Sequence, residues 1–389
     1  MKSSNKLDFK LGRISIFIFS LLFIFLKSET EIILNDEFPN QITLKVKGPG
    51  KQNILCKNST KGFSYKDEYP SKIMVNNQEY SRDISDNTIE LEDKENIVVM
   101  KWDIILTNLS YMFYGCENIS EADLSQLYSS NISDLQYMFL ECTSLTSVIL
   151  FDINLKRDNF FVNLNYIFYK CTSLSLVIIN DIQLEGKKGY LYIINKLSYQ
   201  NSLNSINISN IILEDLEINA DNKYNNGYQY SSVSIYINNF KIIGSSNWLD
   251  LDRIFYKSNS ININTIDIEG SSLDMRDMFY NCKKINISII SMDEGSFDMR
   301  GMFSSCSSIN INYLNLESCS FDMRDMFSSC STIDINHLNL NSGSFDMRDM
   351  FSSCSNININ HLNLESGSFD MINVFSSCSN ININDFQMD

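Results

Sequence analysis

The chain has 389 residues and a formal net charge of −16, from 31 Lys and Arg against 47 Asp and Glu. Nucleic-acid binding needs concentrated Lys and Arg to neutralise phosphates, so this acidic balance argues against a nucleic-acid partner. Hydrophobic residues make up 44% of the chain, which is enough for a large core, and the three prolines all lie at or before Pro70. The composition therefore indicates a folded protein whose amino-terminal part differs from the rest.

The amino terminus has the pattern of a secretory signal peptide. Four basic residues between Lys2 and Arg13 precede the apolar run at 14–26. Thirteen residues suit a signal peptide and fall short of the roughly 20 that a membrane-spanning helix needs. We assign 1–28 as a signal peptide, with an uncleaved anchor as the alternative. No second apolar run is long enough to span a membrane, so we expect a secreted or cell-surface (extracellular) protein.

Residues 29–105 read as a small β-rich domain. Ile42, Leu44 and Val46 alternate with polar residues, as in a strand with one buried face. Since repeat proteins need their terminal repeats shielded, we expect this domain to cover the amino-terminal end of the repeats that follow.

Tandem 24-residue repeats fill 249–389. One aromatic position recurs at this step: Phe255, Phe279, Phe303, Phe327, Phe351 and Phe375. A cysteine follows three residues later in five of these units: Cys282, Cys306, Cys330, Cys354 and Cys378. A period in the twenties is typical of a solenoid, in which each unit is stable only when stacked on its neighbours.

Each unit is predicted to contain one short helix and one strand. Met299, Met302, Phe303 and Cys306 are spaced i, i+3, i+4 and i+7, as on one helix face, and Asp298 stands at the N-cap position. Ile311, Leu314 and Leu316 then give the L-x-x-L-x-L frame of a leucine-rich repeat. The predicted fold class is an α/β leucine-rich-repeat solenoid behind a small β-rich domain.

The repeats begin earlier with longer steps. Phe113, Phe139 and Phe168 are 26 and 29 residues apart, which defines repeats with small insertions over 106–180. The pattern decays over 181–248, where we expect degenerate repeats and a loop at 221–230.

Two segments carry a family resemblance: M-F-Y-G-C-x-x-I at 112–119 and M-F-L-E-C-T-S-L at 138–145. Over 106–389 the chain resembles the BspA-like leucine-rich-repeat surface proteins. The resemblance implies an exported, repeat-built protein associated with surface adhesion and with host or partner contact. It brings no catalytic residues.

The candidate binding surface is the outward side of the predicted strands. Residues that alternate with the inward leucines are expected to face solvent. They are Tyr313, Asn315, Glu317, His337, Asn339, Asn341, His361, Asn363 and Glu365. Two imidazoles near Glu365 could hold a transition metal, but a polar exposed face is the favoured interpretation, so no metal or other cofactor is predicted.

The remaining patterns are interpreted as structural. The recurrent cysteines are expected to be buried free thiols, with disulfides as the alternative. The Asp-Met-Arg repeats, from Asp274/Arg276 to Asp346/Arg348, are interpreted as caps and a surface ion-pair network, with a ligand-binding stripe as the alternative. The chain has no G-x-S-x-G or phosphate-loop motif, and it is not expected to be an enzyme.

Two functions follow from these patterns. The favoured one is an exported adhesion or recognition protein that binds a protein or glycan on another cell or matrix through the strand face. The alternative is a structural, self-assembling surface component, because the last unit ends on apolar residues with no capping repeat after it.

Overall fold

The computed structural model describes residues 40–56, 69–81, 87–127, 132–155, 164–185, 203–214, 233–243 and 249–388. The predicted signal peptide and the loop at 221–230 lie outside these ranges. The strands of the amino-terminal part are β1 Asn40–Lys47, β2 Gly50–Asn53, β3 Lys72–Val75, β4 Gln78–Glu79, β5 Thr88–Leu91 and β6 Glu95–Trp102. Those that follow are β7 Ile119–Asp123, β8 Ser147–Leu150, β9 Ile153–Leu155, β10 Leu176–Glu185, β11 Ser205–Glu214, β12 Ser234–Ile243, β13 Leu249–Asp250, β14 Ser260–Asp274, β15 Lys284–Asp298, β16 Ser308–Glu317, β17 Ser320–Asp322, β18 Thr332–Asn341, β19 Ser344–Asp346, β20 Asn356–Glu365, β21 Ser368–Asp370 and β22 Asn380–Met388.

The amino-terminal strands are antiparallel. β1 pairs along its whole length with β6, and β6 also pairs with β3. The other edge of β1 pairs with β7, the first strand of the repeats, with Thr43 opposite Asp123. The antiparallel region therefore supplies hydrogen bonds to the edge of the first repeat strand. The segment boundaries drawn from the sequence remain predictions.

From β7 onward the strands stack in parallel, one repeat on the next. β14 pairs with β15, β15 with β16, β16 with β18, β18 with β20, and β20 with β22. Ile309, Ile333 and Ile357 thereby lie in one row, as do Leu314, Leu338 and Leu362. The prediction of a stacked-repeat solenoid is confirmed.

The core is a set of side-chain columns parallel to the solenoid axis. The rings of Phe303 and Phe327 stack with centroids 5.2 Å apart and planes 5° apart, and Phe327 and Phe351 stack at 5.1 Å. A second column joins Phe321 and Phe345 at 5.2 Å. Because each ring is covered by the ring above and the ring below, a single unit cannot bury its own core.

The prediction of one short helix per repeat is wrong. The described residues contain no helix, and Met299 to Ser305 form consecutive tight turns. Gly301 and Ser305 have φ of 62° and 61°, which are left-handed values incompatible with a right-handed helix. The N–H of Phe303 donates to the carbonyl of Met326 in the next repeat at 2.8 Å instead of bonding along its own segment.

The side-chain directions inferred from that spacing nevertheless hold. Met299, Met302, Phe303 and Cys306 are at most 1% exposed. Left-handed residues two and six positions after Met299 turn the chain back each time, so the same i, i+3, i+4, i+7 residues face inward without a helix. Asp298 is therefore not a helix N-cap; its Oδ1 accepts the Arg300 N–H at 3.3 Å in a local turn.

The strands are also longer than the leucine-rich-repeat frame predicts. β16 runs ten residues and includes Ile309 and Ile311 as well as the two leucines. Asn312 and Tyr313 are both exposed, so the alternation breaks there and the strand turns a corner. The fold is thus a β-solenoid of stacked strands and tight turns, and not an α/β leucine-rich-repeat fold.

Candidate functional site

The nine candidate residues form a regular array on β16, β18 and β20, which we call the strand-face grid. The register places Tyr313 beside His337 and His337 beside His361. The second row along the strands is Asn315, Asn339 and Asn363, and the third is Glu317, Asn341 and Glu365. Neighbouring strands lie about 4.8 Å apart, and alternate residues along one strand about 6.6 Å apart. The register thus places the nine residues in three adjacent rows, and their role as a binding surface stays a prediction.

The first row is a continuous stack of aromatic rings. The Tyr313 and His337 ring centroids are 4.5 Å apart with planes 3° apart, and His337 and His361 stack at 4.5 Å and 9°. His361 Nδ1 lies 3.1 Å from Asp385 Oδ2 on β22. Tyr313 is 37% exposed, and the His361 side chain is 49% exposed. The stack thus presents flat ring edges to solvent at the spacing of the strands.

The second and third rows add hydrogen-bonding groups. Asn339 Nδ2 donates to Asn315 Oδ1 at 2.6 Å, and Asn363 Nδ2 donates to Glu365 Oε1 at 3.1 Å. The Oδ1 atoms of Asn341 and Asn363 are inaccessible and accept no hydrogen bond in the structure. Leu314 and Leu338 lie beneath the grid and are fully buried, which holds these side chains on a rigid base.

The sequence did not reveal how far the aromatic row extends towards the amino terminus. In the earlier turns the same column is a polar ladder: Asn210 Nδ2 donates to Asp181 Oδ1 at 2.6 Å, and Asn239 Nδ2 donates to Asn210 Oδ1 at 2.7 Å. Ile289 separates the two parts in register and is 38% exposed. The first row of the grid is therefore the aromatic segment of a longer column, which continues to Asp385 on β22.

Two asparagine ladders beside the grid were also missed. Asn336 Nδ2 donates to Asn312 Oδ1 at 3.0 Å, and Asn360 Nδ2 donates to Asn336 Oδ1 at 3.0 Å. On the other side of the corner, Asn358 Nδ2 donates to Asp334 Oδ1 at 3.0 Å. Apolar and polar residues alternate along β16 except at Asn312 and Tyr313, which are adjacent and both exposed. This break in the alternation is the sequence signal for the corner between the rows.

The Asp-Met-Arg repeats form an ion-pair ladder. Arg300 Nε donates to Asp298 Oδ1 at 2.8 Å, and the same guanidinium lies 3.5 Å from Asp322 Oδ2 in the next repeat. Arg324 links Asp322 and Asp346 in the same way. Each arginine therefore lies between two aspartates, which offsets repulsion along the like-charged columns. This geometry agrees with the ion-pair interpretation.

The recurrent cysteines are free thiols that bond to the preceding repeat. Cys330 Sγ donates to the Phe303 carbonyl at 3.1 Å, and Cys306 Sγ donates to the Phe279 carbonyl at 3.1 Å. Burial raises the pKa of the Cys171 thiol to about 12 and also raises that of Cys306. These two thiols therefore stay protonated at neutral pH and can serve as donors, Cys171 to the Phe139 carbonyl and Cys306 to the Phe279 carbonyl.

The metal-site alternative finds no support in the arrangement of the histidines. Imidazole nitrogen lone pairs lie in the ring plane, so the parallel rings of His337 and His361 direct them side by side instead of towards one point. Across the described ranges, no group of three or more His, Cys, Asp or Glu side chains is placed to hold a metal ion.

Residues 83–185 and 249–366 match the sequence profile of a family described as "Mycoplasma protein of unknown function, DUF285". The two stretches together make up more than half of the chain. The chain belongs to this DUF285 family. The second stretch contains the whole strand-face grid, and the interval between the stretches covers most of the region where the repeats decay.

Neither a curated protein nor a solved structure shows significant similarity to this DUF285 member. In the part of the chain that the structure describes, no helix has the length and apolarity to cross a membrane.

Proposed function

We propose that this DUF285 member is an exported recognition protein that binds a protein or glycan partner through the strand-face grid. The single observation that supports this most strongly is the stacked row Tyr313, His337 and His361, which lies beside amide and carboxylate rows on a rigid sheet. Tyr313 and His361 are exposed, and His337 between them is half-buried. Aromatic side chains with a polar edge are enriched among residues that contribute most to binding. Solenoids commonly use such extended strand surfaces for partners.

The proposed role is binding without catalysis. Among the hydrogen bonds of the described residues, the His361 ring bonds to Asp385, and none links a serine or thiol to either imidazole. A nucleophile and a general base within hydrogen-bond distance would be the usual sign of covalent catalysis. The grid instead offers repeated flat rings and amides, which suit contact with an extended surface.

The amino-terminal sequence supports the extracellular location. Basic residues followed by the apolar run at 14–26 have the order of a signal peptide. The M-F-x-x-C segments are similar to those of BspA-like surface proteins, and we infer that the chain shares their association with surface adhesion. The partner is then a protein or glycan on another cell or in the matrix.

Attachment of the full chain to cells and extracellular matrix tests this function. We expect a variant carrying Tyr313→Ala, His337→Ala and His361→Ala to reduce attachment at least about tenfold, since interface energy concentrates in such aromatic residues. The matched control replaces Asn310, Asp334 and Asn358 with serine, because these residues lie in one register row on the same three strands before the corner and none of them is buried. Equal attachment by both variants would contradict the proposal.

Self-assembly is a second candidate function. The last described turn exposes Ile372, Ile381, Phe386 and Met388 by 42–60%. Apolar patches of this kind often mark association surfaces. Light scattering of the full chain tests the idea: Phe386→Asp should lower the measured mass if copies associate there, whereas a monomer at high concentration would contradict it.

A further inference from the structure

One left-handed backbone position recurs in the described repeats. It lies two residues before each phenylalanine of the column that includes Phe113, Phe303 and Phe375. Its φ lies between 52° and 62° throughout. The residues there are Tyr111, Tyr137, Tyr166, Arg253, Asp277, Gly301, Asp325, Asp349 and Asn373. The fold thus demands the same conformation of chemically different residues.

The occupants differ sharply between the first and the later turns. Glycine, aspartate and asparagine, which dominate from Asp277 onward, are the residues that tolerate the left-handed region best. A bulky aromatic residue there is an outlier, and strained residues of this kind concentrate at functional sites. Since Asn373 and Gly301 show that the turn forms without an aromatic ring, the tyrosines at 111, 137 and 166 serve something other than the turn itself.

The three rings stack along the axis on the surface. Tyr111 and Tyr137 have centroids 4.9 Å apart, and Tyr137 and Tyr166 lie 5.2 Å apart with planes within 4°. Tyr166 is 45% exposed. The stack therefore exposes a row of ring edges to solvent, with one ring in each repeat.

Two further tyrosines stand nearly at right angles to this stack. Tyr114 meets Tyr111 at 6.3 Å and 83°, and Tyr169 meets Tyr166 at 5.8 Å and 77°. Tyr169 is 42% exposed. We call the set Tyr111, Tyr114, Tyr137, Tyr166 and Tyr169 the tyrosine edge. Its rings thus have two orientations, since Tyr114 and Tyr169 are roughly perpendicular to the three stacked rings.

Charged groups lie beside the rings. Lys170 Nζ forms an ion pair with Glu141 Oε1 at 2.7 Å and lies 5.8 Å from the Tyr169 ring centroid. The Lys170 and Glu141 side chains are 55% and 36% exposed. The edge thus combines aromatic surface, phenolic hydroxyls, a carboxylate and an ammonium group.

We propose that the tyrosine edge is a carbohydrate-binding site, distinct from the strand-face grid. Sugars are recognised by side chains that bond their hydroxyls and by aromatic surface that contacts the C–H groups of a pyranose. Because the stacked rings of Tyr111, Tyr137 and Tyr166 cover one another's faces, they offer a sugar their edges and phenolic hydroxyls, with Glu141 and Lys170 as further hydrogen-bonding groups. A pyranose in an extended β-linked chain also advances by about one repeat spacing, so successive units can meet successive tyrosines. The charged Glu141 and Lys170 side chains beside the rings favour a glycan over an apolar protein surface.

Saturation-transfer NMR of the full chain with cellohexaose and chitohexaose as probes tests this site. We expect transfer to the ring protons of at least one hexasaccharide. The double variant Tyr137→Asn and Tyr166→Asn should weaken its binding at least about tenfold. Asparagine is the residue at position 373, and relief of backbone strain opposes the loss of ring stacking, so circular dichroism should show little change in stability. Tyr166→Phe, which keeps the ring, should retain most of the binding.

Matched variants separate this site from the proposed function. Asp325→Asn with Asp349→Asn changes the same column in later turns and should leave hexasaccharide binding intact, as should the triple alanine variant of the strand-face grid. Failure of both hexasaccharides to bind, or binding that survives in the double tyrosine variant, would overturn the inference. Cell attachment that needs Tyr137 and Tyr166 yet persists after enzymatic removal of cell-surface glycans would also overturn it, since the partner would then be a protein.

Discussion

The first three turns and the tandem turns share one backbone but carry different surfaces. Phe113 and Phe139 stack at 5.2 Å in the early turns, and Phe303 and Phe327 stack at the same distance in the tandem turns. The column two residues earlier changes from Tyr137 to Asp349 with no change in backbone conformation, since both have positive φ. The buried columns therefore fix the fold, and the left-handed column outside them can be varied for other purposes.

The buried thiols make equivalent hydrogen bonds in both regions. Cys142 Sγ donates to the Phe113 carbonyl at 3.0 Å although the step is 26 residues, and Cys330 Sγ makes the equivalent bond to Phe303 at 3.1 Å where the step is 24. Insertions in the early repeats are thus accommodated away from the Phe and Cys columns. Repeat length and surface chemistry therefore differ between the two regions, while the stacked interior stays the same.

The strongest test of this comparison removes one ring from each region. Phe327→Ala and Phe139→Ala each open a space between two stacked neighbours and should each lower the free energy of unfolding by about 3–5 kcal/mol. Urea unfolding followed by circular dichroism measures this loss. Asn310→Ala, on the outer side of the same β-solenoid, is the control and should change stability little. A much smaller loss for Phe139→Ala would break the comparison, because the early interior would then not be equivalent.

A smaller effect is expected from moving tyrosine into the tandem region. Asp349→Tyr places a bulky side chain at φ of 55° without tyrosines above and below it, so we expect a loss of about 1–2 kcal/mol. The same urea measurement applies, with Asp349→Asn as the control that should be tolerated. If Asp349→Tyr were as stable as the parent chain, the strain argument for the tyrosine edge would fail.

The repeat stacking could be predicted from the sequence because its signal is redundant. Phe303, Phe327 and Phe351 recur at one step, and identical units can bury their apolar residues only against each other. The helix could not be excluded in the same way. The inward pattern from Met299 to Cys306 is common to a helix and to tight turns, and only the φ values of Gly301 and Ser305 distinguish them.

For the surface, alternation along β16 groups Tyr313, Asn315 and Glu317 on one face, and their part in binding stays a prediction. It could not show the ring stacking of Tyr313 on His337, because stacking depends on the register between strands 24 residues apart. The tyrosine edge escaped prediction for a different reason: Tyr111 and Tyr137 are ordinary residues in the sequence, and their left-handed backbone is visible only in the structure.

The smallest expected effect concerns two aspartates of the tandem turns whose pKa values shift in opposite directions. Burial and the neighbouring Asp349 carboxylate raise the pKa of Asp325. A hydrogen bond from the Arg348 guanidinium lowers the pKa of Asp346. The charged form is therefore disfavoured by folding at Asp325 and favoured at Asp346.

These directions fix the sign of each pH effect. Asp346 stabilises the folded state above the unfolded pKa of about 3.9, and this contribution is lost as the pH falls through its lower folded pKa. Asp325 destabilises the folded state at neutral pH, and that penalty disappears as the pH falls below its unfolded value. Asp325→Asn should thus raise the urea midpoint at pH 7, whereas Asp346→Asn should lower it, with both differences shrinking in acid.

Urea midpoints measured from pH 7 down to about pH 3 compare the two variants, and each serves as the control for the other. Both substitutions remove one negative charge from a chain of net charge −16, so a general relief of repulsion would move both midpoints upward together. Midpoint shifts of opposite sign would instead show that the local partners decide the effect, which are Asp349 for Asp325 and Arg348 for Asp346. The left-handed column and the ion-pair ladder lie three residues apart and would then differ in their electrostatics. In the ladder an arginine lies beside each carboxylate, as Arg348 does beside Asp346, whereas the pKa of Asp325 is raised by burial and by its charged neighbour, the Asp349 carboxylate.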